Sequence, residues 1–215
     1  VSSIAAIGPS IDNKTVTENT EWSNANTNGY AVSKHAAELE VWRGTQEGVP
    51  AVIVNPGVIL GPGFWKSGSG LFFKAAYKPQ SYSLPNGTGF VTVQDVVTAM
   101  TQLLDSEIFN ERFILVNKNW QYHKLSLLLA DMMEKKAPTK ILSASNLAIM
   151  WRLDWLRARL LRKKRRLSKA TVQMLLNNSQ YDNTKIKTYL PDFEFEDLEA
   201  KTKQFAAIYL EEREP

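Results

Sequence analysis

"YAVSKHAAELEVWRGTQEGVPAVIVNPGVILGPG", residues 30 to 63, joins two kinds of periodicity. As far as Gln46 the stretch is free of proline, and it reads as an amphipathic helix that Gly48 and Pro50 then stop. A helix is therefore expected over residues 29 to 47. From Ala51 the composition turns β-branched, with no polar alternation. A run apolar on both sides suits a central strand covered by helices, as in parallel sheets. A helix feeding such a strand predicts an α/β fold.

The flanking sequence extends the pattern. "FWKSGSGLFFKAAYK" reads as a Gly/Ser loop and a short helix, and "LPNGTGFVTVQDVVTAMTQLLDS" as a turn, a short extended piece and a helix from about Gln94. "RFILVN" is a second candidate buried strand. "HKLSLLLADMMEKK" is a helix with leucines at helical spacing, stopped by Pro138, and "TKIL" is a candidate short strand. From about Ser143 helices dominate: a long basic one, a short one beginning near Ser168, and a last one over residues 196 to 212. Strand and helix alternate early and helices follow, which predicts half of a doubly wound sheet carrying a helical subdomain.

Composition narrows the chemistry. The 215 residues contain no cysteine, so disulfides and thiolate catalysis are excluded, and two histidines leave no basis for a histidine-rich metal site. No apolar run approaches the ~20 residues of a membrane-spanning helix. The net charge of +4 is concentrated: residues 152 to 169 hold nine Lys/Arg and one acid, leaving 17 basic and 21 acidic residues elsewhere, a net of −4. No nucleic-acid recognition motif accompanies this basic segment. Within it Ile149, Leu153, Leu156 and Leu160 form an apolar stripe, bordered by Arg152 and Arg159 on one side and Arg157 on the other. The expectation is a helix docked on the rest of the protein, with arginine stems covering its edge. Contact of residues 145 to 166 with a membrane surface, and binding of an acidic substrate, are the less favoured readings.

Tyr30 and Lys34 carry the chemical signal. Residues four apart share one helix face. A free phenol ionises near ~10, too high for efficient proton transfer at neutral pH, and an adjacent ammonium favours the phenolate. Such a pair suits a general acid/base at a carbonyl or hydroxyl oxygen. A nearby hydroxyl should hold that oxygen, and Ser2 and Ser3 are available in "VSS".

With these residues in order, the chain resembles the extended short-chain dehydrogenase/reductase family, which includes nucleotide-sugar epimerases and dihydroflavonol reductases. "VSSIAAIG" is similar to the end of the family's fifth strand, whose catalytic hydroxyl stands five before the glycine, here Ser3. "YAVSK" matches its Tyr-x-x-x-Lys motif. "VNPGVILGPG" resembles the next strand and the turn that touches the nicotinamide, "FVTVQDVVTAM" resembles its strand-then-helix segment reaching Asp95, and "YDNTKIKTYLPDFEF" its C-terminal end. The resemblance implies Tyr30 as proton donor or acceptor, Lys34 as its partner and a ligand of the nicotinamide ribose, and Ser3 as the group that holds the substrate oxygen. It places Asn55, Pro56, Gly57 and Val58, with Tyr30 and Lys34, at NAD or NADP. No metal is implied. Asp95 is expected to orient its helix, His35 to be structural, and His123 to be a capping or surface residue.

The implied architecture is the C-terminal part of a doubly wound Rossmann-type parallel sheet plus a mainly helical subdomain. Residues 1–60 and 90–120 would form the incomplete catalytic core, and residues 61–89 and 121–215 the substrate-binding subdomain. The family's Gly-x-x-Gly-x-x-Gly phosphate loop does not occur in these 215 residues. The chain is accordingly expected to be part of a longer protein, and on its own to bind dinucleotide weakly and be inactive. The expected function is an NAD(P)-dependent oxidoreductase acting on a secondary alcohol or ketone. Alternatives are a nucleotide-sugar epimerase or dehydratase and a non-catalytic dinucleotide-binding protein. A small-molecule substrate, facing residues 9 to 28, 64 to 90 and the helical end, is the expected partner, with a homodimer left open and nucleic acid excluded. The expected location is cytoplasmic.

Overall fold

The computed structural model describes residues 1–10, 15–23, 28–163, 165, 167–176 and 178–213. Parts of the expected substrate-facing segment (11–14 and 24–27), and Lys164 and Arg166 of the basic segment, lie outside them. The chain opens on a single 3-10 turn, Ile4–Ala6, then helix α1, Gly29–Gln46. Strands β1, Val52–Pro56, and β2, Val58–Leu60, follow, then α2, Gly70–Ala76. Next come β3, Tyr82–Ser83, β4, Gly87–Thr92, and α3, Val93–Leu104. After β5, Glu111–Leu115, and β6, Lys118–Gln121, come α4, Tyr122–Met132, and β7, Lys140–Ile141. Helices α5, Ala144–Leu160, α6, Lys169–Leu176, α7, Thr184–Tyr189, and α8, Leu198–Glu211, complete the chain.

The apolar run at 51–60 forms two strands rather than one. β1 pairs in parallel with β5, from Val52 opposite Glu111 to Pro56 opposite Leu115. β2 pairs in parallel with β4, from Val58 opposite Phe90 to Leu60 opposite Thr92. The switch between them has a local cause. Pro56 has no N–H to offer a ladder, and Gly57 donates to Leu115 O at 3.0 Å. A Cβ on Gly57 would lie 2.4 Å from Gly89 O, so only glycine lets the two backbones approach this closely. β6 then adds antiparallel to β4, and the short β3 and β7 pair in parallel.

The core divides accordingly. Val54, Val91, Val96, Phe113 and Leu115 bury the face under α3, and Ile186 and Phe193 of the C-terminal segment pack into the same cluster. Phe73, Phe90, Trp120, Leu125, Leu198 and Phe205 form a second cluster, joining β4 to α2, α4 and α8. The expected strand at the start is represented by Ser2 N–H donating to Val54 O at 2.8 Å, after which the chain enters its 3-10 turn.

Asp95 orients its helix as the sequence suggested. Thr92 Oγ1 accepts from Asp95 N at 2.9 Å and Asp95 Oδ2 accepts from Thr92 N at 3.3 Å, a reciprocal capping box. Asp95 also accepts from Glu196 N at 2.9 Å and from Asn117 Nδ2 at 3.2 Å, which ties the C-terminal segment to the head of α3. The carboxylate is buried and accepts from three donors at once. Asp95→Ala should therefore destabilise the protein by about 2 kcal/mol, read as a lower midpoint in urea with an unchanged slope.

Candidate active site

α1 starts sharply because Asn28 Oδ1 accepts from Ala31 N at 2.9 Å. This cap puts Tyr30 on the first turn, 56% exposed, with Lys34 one turn on. Lys34 Nζ donates to Val1 O at 3.4 Å. His35 takes a different direction: its Nδ1 lies 3.1 Å from Ala6 O and its ring stacks on Trp22 at 4.0 Å between centroids. It therefore fastens α1 to the segments beneath it. His123 Nδ1 meets Ser83 Oγ at 2.8 Å, joining α4 to β3.

Ser3 caps the 3-10 turn, its Oγ accepting from Ala5 N at 3.2 Å, which leaves the hydroxyl hydrogen free to be donated elsewhere. A cleft of about 610 Å³ opens beside it. Ser3, Tyr30, Gly57 and Val58 line this cleft together, so residues more than fifty positions apart meet on one wall. Lys34, Asn55 and Pro56 are not part of the lining. Lys34 stands beside Tyr30 at Val1, while Pro56 is buried where β1 ends.

Asn55 is fully buried. Its Nδ2 donates to Ser3 O at 2.9 Å and to Glu38 Oε1 at 2.5 Å. Glu38 Oε2 in turn meets Arg112 Nη1 at 3.3 Å, and Arg112 Nε donates to Glu18 O at 2.9 Å. Glu18 Oε1 accepts from Ile114 N at 2.9 Å. The result is a buried polar chain running from Ser3 through β1 and α1 to β5. Tyr30, Lys34 and Glu38 stand at successive spacings of four, so one face of α1 carries the tyrosine, the lysine and this anchor. The spacing was visible in the sequence. That Glu38 is buried against Asn55 and Arg112 was not.

The rest of the lining comes from segments that the sequence did not single out residue by residue. Tyr122, Ser179, Tyr181, Thr88 and Ser69 face the same cleft. Tyr181 is held by a two-way amide clasp: Asn119 Nδ2 donates to Tyr181 O and Tyr181 N donates to Asn119 Oδ1, both at 2.9 Å. Burial pushes the phenols of Tyr122 and Tyr181 up to about 12. Proximity of Tyr181 adds to the rise at Tyr122, whereas hydrogen bonds with Ser179 and Thr88 oppose it at Tyr181. Both phenols stay protonated through the neutral range and present neutral hydroxyls. Among the described residues no group of three or more His, Cys, Asp or Glu could hold a metal ion, and no helix is long and apolar enough to cross a membrane.

Solved structures share this fold. The protein gox2253 superposes with a TM-score of 0.79 at 25% identity, covering 99% of this chain and 65% of that one. A nucleoside-diphosphate-sugar epimerase from Pseudomonas aeruginosa gives 0.76 at 17% identity, covering 98% and 65%. Gre2 from Candida albicans, solved in complex with NADPH, gives 0.68 at 21% identity, covering 99% and 63%. The chain thus spans just under two thirds of the length of these proteins. No curated protein sequence matches it significantly. The serine of the opening turn, the tyrosine and lysine of α1 and the Asn-Pro-Gly turn all fall within residues 1–114, more than half of the chain, which match the NAD dependent epimerase/dehydratase family, and the chain belongs to that family.

Proposed function

We propose that the protein carrying this chain is an NAD(P)-dependent oxidoreductase acting on an uncharged secondary alcohol or ketone. The observation that carries the reading is the chemistry of the cleft. Its described lining contains hydroxyls, aromatic rings, glycines and aliphatic side chains, and not one Lys, Arg, Asp or Glu. A diphosphate buried there would meet no cation among the described lining residues, and desolvating it unpaired would be costly. That favours a neutral substrate over a nucleotide sugar.

The residues present fit the nicotinamide end of the cofactor. Gly57 and Val58 offer backbone and an aliphatic wall for a flat ring, beside Tyr30, with Lys34 one turn away for a ribose hydroxyl. When bound, the nicotinamide supplies or accepts the hydride. Tyr30 exchanges the proton with the substrate oxygen, Ser3 donates a hydrogen bond to that oxygen, and the Lys34 ammonium stands one helical turn from Tyr30. Asn55 supports this from behind by fixing the carbonyl of Ser3. In this reading residues 1–60 and 90–120 act as the catalytic core, and residues 61–89 and 121–215 supply the substrate wall. Ser69, Thr88, Tyr122, Ser179 and Tyr181 support that division.

The test is a substrate panel run on the whole protein with NADH and NADPH. Neutral alicyclic and aryl ketones should be reduced. UDP- and dTDP-sugars should be neither converted nor able to inhibit competitively. Micromolar inhibition by UDP would reverse the choice of substrate class.

A further inference from the structure

α5 docks with the face opposite to the one its sequence advertises. Its buried residues are Leu147 and Ala158. At ~100° per residue, the stripe of Ile149, Leu153, Leu156 and Leu160 points roughly 160° away from them. The four side chains are 56%, 60%, 45% and 71% exposed. Leu161, just past the end of the helix, is also exposed. This is a contiguous aliphatic ridge on the outside of the protein, not an isolated surface leucine.

Cations border the ridge. Arg152 and Arg159 lie along one edge, Arg152 over the ring of the adjacent Trp151 at 4.8 Å and Arg159 over that of Trp155, one turn earlier, at 5.7 Å. Arg162, Lys163 and Arg165 continue beyond the helix, all exposed. Among the described residues none of these five cations forms a salt bridge, whereas Arg157 on the other border is neutralised by Asp154 at 2.7 Å. Asp154 also accepts from Leu167 N at 3.0 Å, folding the basic segment back beside α5.

We propose that the protein docks through α5 onto an anionic lipid surface, with the Ile149–Leu160 ridge entering the headgroup layer and the flanking cations engaging lipid phosphates and carboxylates. Charge complementarity selects this occupant. Residues 152 to 169 carry nine Lys/Arg against one acid, while the remainder of the chain is net negative. The excess of positive charge is therefore concentrated in α5 and the segment that follows it, which favours one orientation on an anionic surface as well as an affinity. A second copy of the chain would bring the same cations face to face. The ridge is also convex, so a fluid interface receives it without a matching groove.

The experiment is co-sedimentation of the full-length protein with phosphatidylcholine vesicles, with and without one third phosphatidylserine. Binding is expected to the phosphatidylserine vesicles at ~0.1 M salt, and to fall at least ~10-fold at ~1 M salt, where the Debye length shrinks to about 3 Å. The double variant Leu153→Ser/Leu156→Ser should weaken binding ~10-fold or more. Because both side chains are exposed, its thermal midpoint should stay within a few degrees of the parent's. Arg152→Ser/Arg159→Ser should weaken binding to phosphatidylserine vesicles and remove its salt dependence in part. Failure to sediment with either vesicle overturns the proposal, as does equal binding by the leucine variant. So does a salt-stable dimer that the leucine variant dissociates while vesicles go unbound, since the ridge would then be an interface between copies.

Discussion

Tyr30→Phe is expected to lower kcat of the whole enzyme by roughly 10²- to 10⁴-fold, the range that a positioned general acid or base contributes. The substitution removes one oxygen from a side chain that is 56% exposed on the first turn of α1, so folding should be unaffected. Dinucleotide affinity should change little, because Gly57, Val58 and Lys34 remain in place. Steady-state rates alongside fluorescence titration with NADPH separate the two quantities. A parallel fall in affinity would mean that the tyrosine serves binding more than proton transfer. Turnover that survives the substitution would instead mean that another group moves the proton, and Tyr30 would then be a bystander at the cleft.

The second large effect concerns stability, at Glu38. This carboxylate is buried, accepts from Asn55 at 2.5 Å and pairs with Arg112 at 3.3 Å. Removing one member of such a set leaves the others desolvated and unsatisfied, which costs about 3–5 kcal/mol. Glu38→Ala should accordingly lower the thermal midpoint by roughly 10 °C or more for a chain of this size, measured by circular dichroism. Glu38→Gln keeps an acceptor for Asn55 while removing the charge, and should fall between the two. The loss should also reach catalysis. Asn55 holds Ser3 O at 2.9 Å, and Glu38 shares its helix face with Tyr30 and Lys34. At temperatures where the variant is still folded, kcat should fall while KM changes less. An unchanged kcat would confine the Glu38 chain to a structural role.

Much of the fold was legible in the sequence because the signals were local. Gly48 and Pro50 mark the end of α1, observed over Gly29–Gln46, since helix termination depends on residues within a turn of each other. The β-branched composition of residues 51–60 and of "RFILVN" required buried strands for the same reason. The two-residue strands β3 and β7 are a contrast. Only Lys140–Ile141 was suggested by "TKIL", and its partner Tyr82–Ser83 has a mixed composition that distinguishes no strand.

The candidate site divides along the same line. Helical geometry gave the pairing of Tyr30 with Lys34, and family resemblance added Ser3. The rest of the lining did not follow from either. Ser179 and Tyr181 belong to a segment that reaches the cleft through a parallel bridge between Val16 and Tyr181 and through Asn119, contacts remote in the chain. The reach of the α5 stripe was misjudged for a related reason. Periodicity locates an apolar face on a helix, but does not say whether that face turns toward the body or away from it.

By itself, then, the sequence determined most of the helices, the buried runs at 51–60 and in "RFILVN", the spacing of Tyr30 and Lys34 on one helix, and where positive charge collects. Those properties depend on near neighbours and on composition. Only the tertiary structure decided that the run at 51–60 would divide between β5 and β4, that Glu38 would be buried against Asn55 and Arg112, and that Ile149, Leu153, Leu156 and Leu160 would face outward. A strand's hydrophobicity demands burial without naming its partner, and that choice is made when distant segments compete for the same core.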